Sequence, residues 1–333
     1  MEQSETNRVL TGDIGGTKTR LAIIEVEGAR LHMQAEETYP SQQYASLRAI
    51  IQSFIAQHGE PVAAACFGIA GPVRDNVSQA TNLPWHIDAG ELEREFEFGR
   101  VSLLNDLEAT GWGIRALRAD DIFELHPGRP DPRGNAAIIA AGTGLGEAAL
   151  CFDGHGHRPF ATEGGHADFS PNSDQEIELL RYLKRKYRHV SWERVVSGPG
   201  LLHIHDFLRH ITRCETPGWL AETMQTSDPS AAIARAAEDR RDVVCAEAME
   251  LFVHLYGVEA GNLALKQMAT GGLYIGGGIA PKILPWMKAG GFLDAFLSKG
   301  RMRPLLEQMP VRIILNDRTA LFGPALYAAA HRP

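Results

Sequence analysis

Val101-Ser102-Leu103-Leu104-Asn105-Asp106-Leu107 is the stretch around which the chain is organised. Its first four residues form a short apolar run that reads as a buried strand. The run ends in Asn105 and Asp106, and a helix-compatible segment follows. A carboxylate at the carboxyl end of a buried strand stands where open α/β sheets place their ligands. Asp106 would serve as well to cap a helix starting near Glu108. The stretch alone leaves both readings open, and the weight comes from its neighbours.

Upstream, Thr11-Gly12-Asp13-Ile14-Gly15-Gly16-Thr17 precedes the apolar run Leu21-Ala22-Ile23-Ile24. That is strand, tight glycine turn, strand. Glycines let a backbone approach a ligand closely, and successive N–H groups in such a turn cradle a phosphate. Asp13 adds a carboxylate suited to a hydrated Mg²⁺. An ordinary Gly-rich hairpin looks the same, because short glycine motifs recur by chance. The turn is neither a P-loop nor the dinucleotide fingerprint, since no helix follows directly. Residues 30–39 read as a third strand. Leu47, Ile50, Ile51, Phe54 and Ile55 then recur at helical spacing. Residues 63–70 form a small apolar strand ending at Gly71-Pro72, and 92–98 a short helix. The first hundred or so residues therefore read βββαβαβ. Thr81-Asn82-Leu83-Pro84-Trp85 is a polar loop with an aromatic, either a packed turn or one wall of a sugar pocket.

Downstream, residues 121–135 are rich in Pro, Gly and charge and read as a long connection. Residues 136–141 then repeat the opening: a buried strand, the turn Gly142-Thr143-Gly144-Leu145-Gly146, and a small apolar strand over 148–152. Two such units, each with a Thr beside its glycines, suggest two related halves facing each other across a cleft. Glu163-Gly164-Gly165-His166-Ala167-Asp168-Phe169 lies in a loop between strands. Two glycines between an acid and a His let both side chains point at one ligand. Carboxylate and neutral imidazole suit sugar hydroxyls, each of which donates and accepts at once. Zinc is the other ligand for such a pair, yet no third and fourth ligand stands nearby. His155 and His157 read as a polar turn. Ser173-Asp174-Gln175-Glu176 resembles a helix start. Ser197-Gly198-Pro199-Gly200 opens another helix, whose N-terminus can face an anion. Long helices are expected over 231–241 and 243–268. A strand over 271–275 ends in Gly276-Gly277-Gly278, a turn able to lie flat against a nucleotide base or ribose. A last strand covers 311–315. Residues 319–330 look helical, with a start that Gly323-Pro324 leaves open.

The 333 residues suit two domains. Apolar residues make up 44%, which is ample for packed cores and too many for a disordered chain. A net charge of −8 without basic runs argues against sequence-independent nucleic-acid binding. Cys66, Cys151, Cys214 and Cys245 lie far apart, with neither metal-ligand spacing nor a disulfide framework. Residues 1–8 are polar and lack a signal-peptide core, and no run is long enough to span a membrane. A soluble, cytoplasmic, reduced protein is the default expectation.

Taken in order, these pieces resemble the bacterial-type glucokinases, of the hexokinase, Hsp70 and actin superfamily. Gly12-Asp13-Ile14-Gly15-Gly16-Thr17, with Arg20, is similar to the family's first phosphate turn. Leu104-Asn105-Asp106-Leu107 is similar to its catalytic strand end, and Gly142-Thr143-Gly144-Leu145-Gly146 to its second phosphate turn. Glu163-Gly164-Gly165-His166 with Asp168-Phe169-Ser170-Pro171-Asn172 is the most specific element. Glu193-Arg194-Val195 with Ser197-Gly198-Pro199-Gly200 follows, and Gly276-Gly277-Gly278 resembles the adenosine turn. The resemblance implies an α/β, two-domain actin-like ATPase (ribonuclease H-like) fold with a deep inter-domain cleft. The small domain would cover residues 1–110, with 315–333 packed onto it, and the large domain 111–314. It also implies phosphorylation of D-glucose at the 6-hydroxyl by ATP. Asp106 would be the general base, and Asn105, Asp106, Glu163, His166 and Glu193 would hold the glucose. Gly12, Asp13, Ile14, Gly15, Gly16, Thr17, Gly142, Thr143, Gly144, Gly276, Gly277 and Gly278 would hold ATP. Mg²⁺ would ride on the phosphates, with Asp13 reaching it through water. The partners expected are glucose, ATP and a second copy of the chain in a homodimer, without nucleic acid or membrane.

Lys18 departs from the Asn that near relatives usually show. A Gly-Gly-Thr-Lys turn resembles instead the ROK sugar kinases and repressors, whose cysteine-rich zinc motif is missing here. Three alternatives stand beside the main reading: an ATP-dependent kinase for another hexose or an amino sugar, a non-catalytic sugar sensor, and a chaperone-like ATPase, in which the Glu163 to His166 element would have no purpose. Keeping Asp106 speaks against the sensor, which needs no base.

Overall fold

The computed structural model describes residues 8–28, 30–59, 62–80 and 83–331. The chain divides into two compact units. One comprises residues 1–121, 158–161 and 316–333, the other 122–157 and 162–315.

The first unit is built on a five-stranded sheet. Its strands are β1 (Arg8–Ile14), β2 (Lys18–Glu27), β3 (Arg30–Pro40), β4 (Ala64–Ile69) and, after three short strands described below, β8 (Val101–Asn105). The order is β3-β2-β1-β4-β8. β1, β2 and β3 form an antiparallel meander, whereas β4 and β8 run parallel to β1. The register aligns Ile14 with Ile69 and Ile69 with Asn105. The turn after Ile14 and the Asn105-Asp106 pair thus leave the sheet along the same edge. They stand two strands apart, roughly 10 Å at ordinary strand spacing.

Strand alternation feeds two apolar layers. Leu10, Leu21, Ile23, Ala65 and Phe67 pack with helix Leu47–His58 on one face. Val9, Ala22, Ile24, Ala64, Cys66 and Leu104 pack on the other, beneath helices Asp106–Gly113 and Thr319–Ala330. These two helices cross at very close range. A Cβ on Gly323 would lie 1.7 Å from the Ala109 carbonyl oxygen, and one on Gly113 2.1 Å from that of Thr319. The C-terminal helix begins at Thr319 and carries Pro324 inside it. Gly323-Pro324 is therefore a packing site within the helix and does not mark its start.

The βββαβαβ reading omitted a three-stranded antiparallel sheet: β5 (Val73–Arg74), β6 (Val77–Gln79) and β7 (His86–Asp88). Strands of two or three residues are too short to show a period. Of the expected 81–85 loop, Thr81 and Asn82 lie outside the described residues. Trp85 is buried, and its Nε1–H donates to the Tyr44 carbonyl at 3.2 Å. The expectation for residues 1–7 likewise falls outside the described residues.

A six-stranded sheet, in the second unit except for residues 158–161, is formed by β9 (Ile122–His126), β10 (Ala136–Ala141), β11 (Leu145–Phe152), β12 (His157–Thr162), β13 (Gly272–Gly276) and β14 (Val311–Ile314). The order is β12-β11-β10-β13-β14-β9. Its first five strands repeat the order of the first sheet, and β13 and β14 run parallel to β10 just as β4 and β8 run parallel to β1. Three details differ from expectation. Residues 121–135 are not all connection, because β9 pairs antiparallel with β14. β9 is a half-buried edge strand, framed by acids before it and Pro and Gly after it, so its pattern is weak. The second glycine turn closes by Gly144, since Leu145 and Gly146 already belong to β11. His157 opens β12, and only His155 stays in the turn. The helix expected over 231–241 covers Pro229–Glu238, and the 25-residue helix Val243–Gln267 packs against β10 and β13. Among the described residues no helix is long and apolar enough to cross a membrane.

Candidate active site

In the first unit, Asn105 is the residue that caps the helix Asp106–Gly113. Its Oδ1 accepts the N–H groups of Leu107 at 3.0 Å and Glu108 at 3.4 Å, and its Nδ2 donates to the Gly71 carbonyl at 3.2 Å. The helix starts two residues before the expected Glu108, and the cap role falls to Asn105. Asp106 is the first helical residue, half-buried, with Oδ1 accepting the Leu107 N–H at 2.9 Å. Asn105 keeps one N–H of its amide beyond these bonds.

At the end of β1, two strands away, the Gly15 N–H donates to the Lys18 carbonyl at 3.0 Å and the Ser41 hydroxyl to the Gly15 carbonyl at 2.7 Å. The turn is thereby pinned at both sides. Gly12 and Ile14 are buried within β1, Gly15 and Gly16 are half-buried, and Thr17 is exposed. Asp13 keeps 32% of its side-chain surface and pairs with Arg20 at 3.5 Å. Desolvation raises its carboxyl above the ordinary range, against the pull of Arg20. Ser41 was missed as a contributor, since nothing near it in sequence marks it.

The second unit gathers the other turns. The parallel register sets Ala140 beside Gly276, so residues 142–144 and 276–278 emerge from adjacent strand ends. Gly277 has φ +80 and packs so closely on Ala141 that a Cβ would lie 2.5 Å from its carbonyl oxygen. The Gly142 carbonyl accepts the Gly198 N–H at 2.8 Å. That bond ties the turn to the start of helix Gly198–Thr212, capped by the Ser197 hydroxyl. Backbone N–H groups of a glycine turn and a helix N-terminus thus lie together, a setting for phosphate.

Leu145 is the hub of the residues Glu163, His166 and Glu193. The Glu193 carboxylate accepts its N–H at 3.1 Å. Gly165 packs against its carbonyl, where a Cβ would lie 2.0 Å from the oxygen. Glu163 and His166 flank the short helical turn Gly164–His166. Their Oε2 and Nε2 stand 4.0 Å apart, with 64% and 59% of the side-chain surface exposed. Residues 167–169 pair with 190–192 through Trp192 N–H to the Ala167 carbonyl and Phe169 N–H to the Val190 carbonyl, both 3.0 Å. That pairing carries Glu193 alongside the 163–166 turn. Glu163, His166 and Glu193 are so collected in the second unit, and Asn105 and Asp106 in the first. Among the described residues no three His, Cys, Asp or Glu side chains gather as a metal site.

The glucokinase family profile matches residues 10–331. The glucokinase of Nostoc punctiforme is 45% identical over 336 residues, covering 96% of this chain and 98% of that protein. Among solved structures, a glucokinase from an Antarctic psychrotroph superposes with a TM-score of 0.85 at 29% identity, over 98% of this chain and 100% of that one. A ROK family glucokinase from Streptomyces griseus, solved with glucose and AMPPNP, gives 0.67 at 20% identity over 97% and 100%. At that identity the likeness is one of fold. The family match and the full-length relatives assign the chain: it is an enzyme that belongs to the glucokinase family.

Proposed function

We propose that this chain transfers the γ-phosphoryl group of ATP to the 6-hydroxyl of glucose, giving glucose 6-phosphate and ADP. The observation that carries the reading is the Asn105-Asp106 pair at the end of β8, on the same sheet edge as the Asp13 turn. A base for a hydroxyl and a seat for phosphate then share one rigid sheet. The relatives' names point the same way.

In this reading Asp106 accepts the 6-hydroxyl proton as the new O–P bond forms and the bond to ADP breaks. Asn105, Glu163, His166 and Glu193 orient the sugar hydroxyls, and positioning supplies much of the rate. Residues 12–17 and 142–144 hold phosphates, and residues 276–278 the adenosine. Mg²⁺ would supply charge neutralisation on the phosphates. Asp13 suits an outer-sphere role, because its carboxylate is partly exposed and balanced by Arg20. In this reading the first of the two units described above is the small domain and the second the large domain. The enzyme works in the cytoplasm as a homodimer.

A coupled assay of purified protein with ATP, Mg²⁺ and a panel of hexoses and amino sugars tests the substrate. Glucose should give the highest kcat/KM. Turnover of an N-acetylated amino sugar with none of glucose would contradict the proposal.

A further inference from the structure

Two buried carboxyl groups neighbour each other, one of them packed against the 163–166 turn, and neither belongs to the site residues above. Glu147, on β11, is 2% exposed, and Glu259, on helix Val243–Gln267, is 0% exposed. Their surroundings are unequal. Glu259 accepts from Asn262 Nδ2 at 2.8 Å and from Lys266 Nζ at 3.4 Å. Lys299 lies close enough for its charge to act on Glu259, while its own donors go to Asn262 Oδ1 at 2.7 Å and the Val258 carbonyl at 2.9 Å. Glu147 Oε1 meets no donor among the described residues. A buried carboxylate without a donor is costly, whereas a proton on Glu147 lets it donate to Glu259. Its other oxygen lies against the sugar turn: a Cβ on Gly164 would stand 1.9 Å from Oε2. The Thr162 hydroxyl also donates to the Glu147 carbonyl at 3.0 Å, which fastens the start of that turn to the same residue.

We propose that Glu147 and Glu259 hold one proton between them, and that this neutralised pair is the seat that fixes Glu163 and His166 through Gly164. Glu147 is then a positioning residue for the sugar, a role that rests on the glucokinase reading. Desolvation and the Glu259 charge push Glu147 up to about 8, with Lys266 pulling the other way. The titratable or charged groups that act on it are Tyr256, Glu259 and Lys266 from the long helix, with Lys299, beyond helix Gly291–Leu297, acting on Glu259. Loss of the shared proton leaves two like charges in a buried site. The helix closes one side of Glu147 and the Gly164 turn another, so a carboxylate seeking water displaces the turn.

The test is the pH dependence of KM for glucose in the wild type and in Glu147→Gln, whose amide donates to Glu259 at every pH. The wild-type KM should rise about fivefold or more through about pH 8, with kcat changing less, as for a lost sugar hydrogen bond. Glu147→Gln should keep the low-pH KM and hold it flat. Parallel profiles would overturn the proposal. Two measurements on sugar-free wild type need no variant. Infrared spectra should show a protonated carboxylic acid at pH 7 that vanishes through about pH 8, and hydrogen exchange of residues 162–167, corrected for intrinsic rates, should speed up over the same range. Absence of the acid band, or exchange that ignores pH, defeats the seat even in an active glucokinase. A protein that shows both signatures but phosphorylates no glucose defeats the functional reading and leaves the seat standing.

Discussion

At the scale of single residues, Asp106 bears the most weight. Its neighbour Asn105 already supplies the helix cap, so capping does not account for the acid. Asp106→Ala should lower kcat by at least about a hundredfold, with ATP affinity little changed. A loss of ~1 kcal/mol in stability with turnover intact would instead mark Asp106 as a helix-terminal residue only. Glu163→Gln and His166→Ala should each weaken glucose binding by ~1–3 kcal/mol, measured by calorimetry, while the thermal midpoint holds. Unchanged glucose affinity in both variants would remove the turn from the sugar site. Asp106, Glu163 and His166 were legible because each stands beside a Gly turn or at a strand end, in a local pattern. Glu147 and Glu259 were not. They are 112 positions apart (259 − 147), each inside an apolar run, and only the fold makes them neighbours.

At the scale of elements, the crossing of helices Asp106–Gly113 and Thr319–Ala330 gives the sharpest prediction. By intrinsic propensity, Gly323→Ala should stabilise a helix by up to ~1 kcal/mol. The added Cβ would, however, meet the Ala109 carbonyl at 1.7 Å, and backbone cannot give way as a side-chain tip does. Overpacking of this kind costs ~1–3 kcal/mol or more, so the thermal midpoint should fall. A rise would mean that the helices do not cross there. Because the crossing carries Asp106, the same variant should also lose activity. Long elements were legible from period and flanks: β8, β10 and helix Val243–Gln267 were all found near their bounds, whereas residues 11–14, read as part of the first glycine turn, belong to β1. The short strands β5 to β7 and the edge strand β9 were not, because their identity lies in pairing partners far along the chain.

For the whole molecule, the two glycine turns signalled two related halves, and both sheets repeat one order of strands. What the sequence could not supply was the charge state of the interior. Glu147 has a folded value of about 8 against an ordinary 4.5, so it binds a proton more tightly folded than unfolded. The stability it contributes is complete below about 4.5, falls as pH rises, and is gone above about 8. His203, lowered by burial, acts in the opposite direction, but only below its ordinary 6.5. Between about pH 6.5 and 8 the coupled Glu147–Glu259 pair therefore contributes a stability that falls as pH rises. Denaturant unfolding across that window should show falling stability in the wild type and a flatter line in Glu147→Gln. Equal slopes would contradict the assignment. The central claim, that the chain spends ATP on the 6-hydroxyl of glucose, has one direct measurement: ADP release and product identity by NMR in the same reaction. We expect one glucose 6-phosphate per ADP, with ADP release close to background when sugar is left out. ADP released at the same rate without glucose, or phosphate found on another hydroxyl, would contradict it.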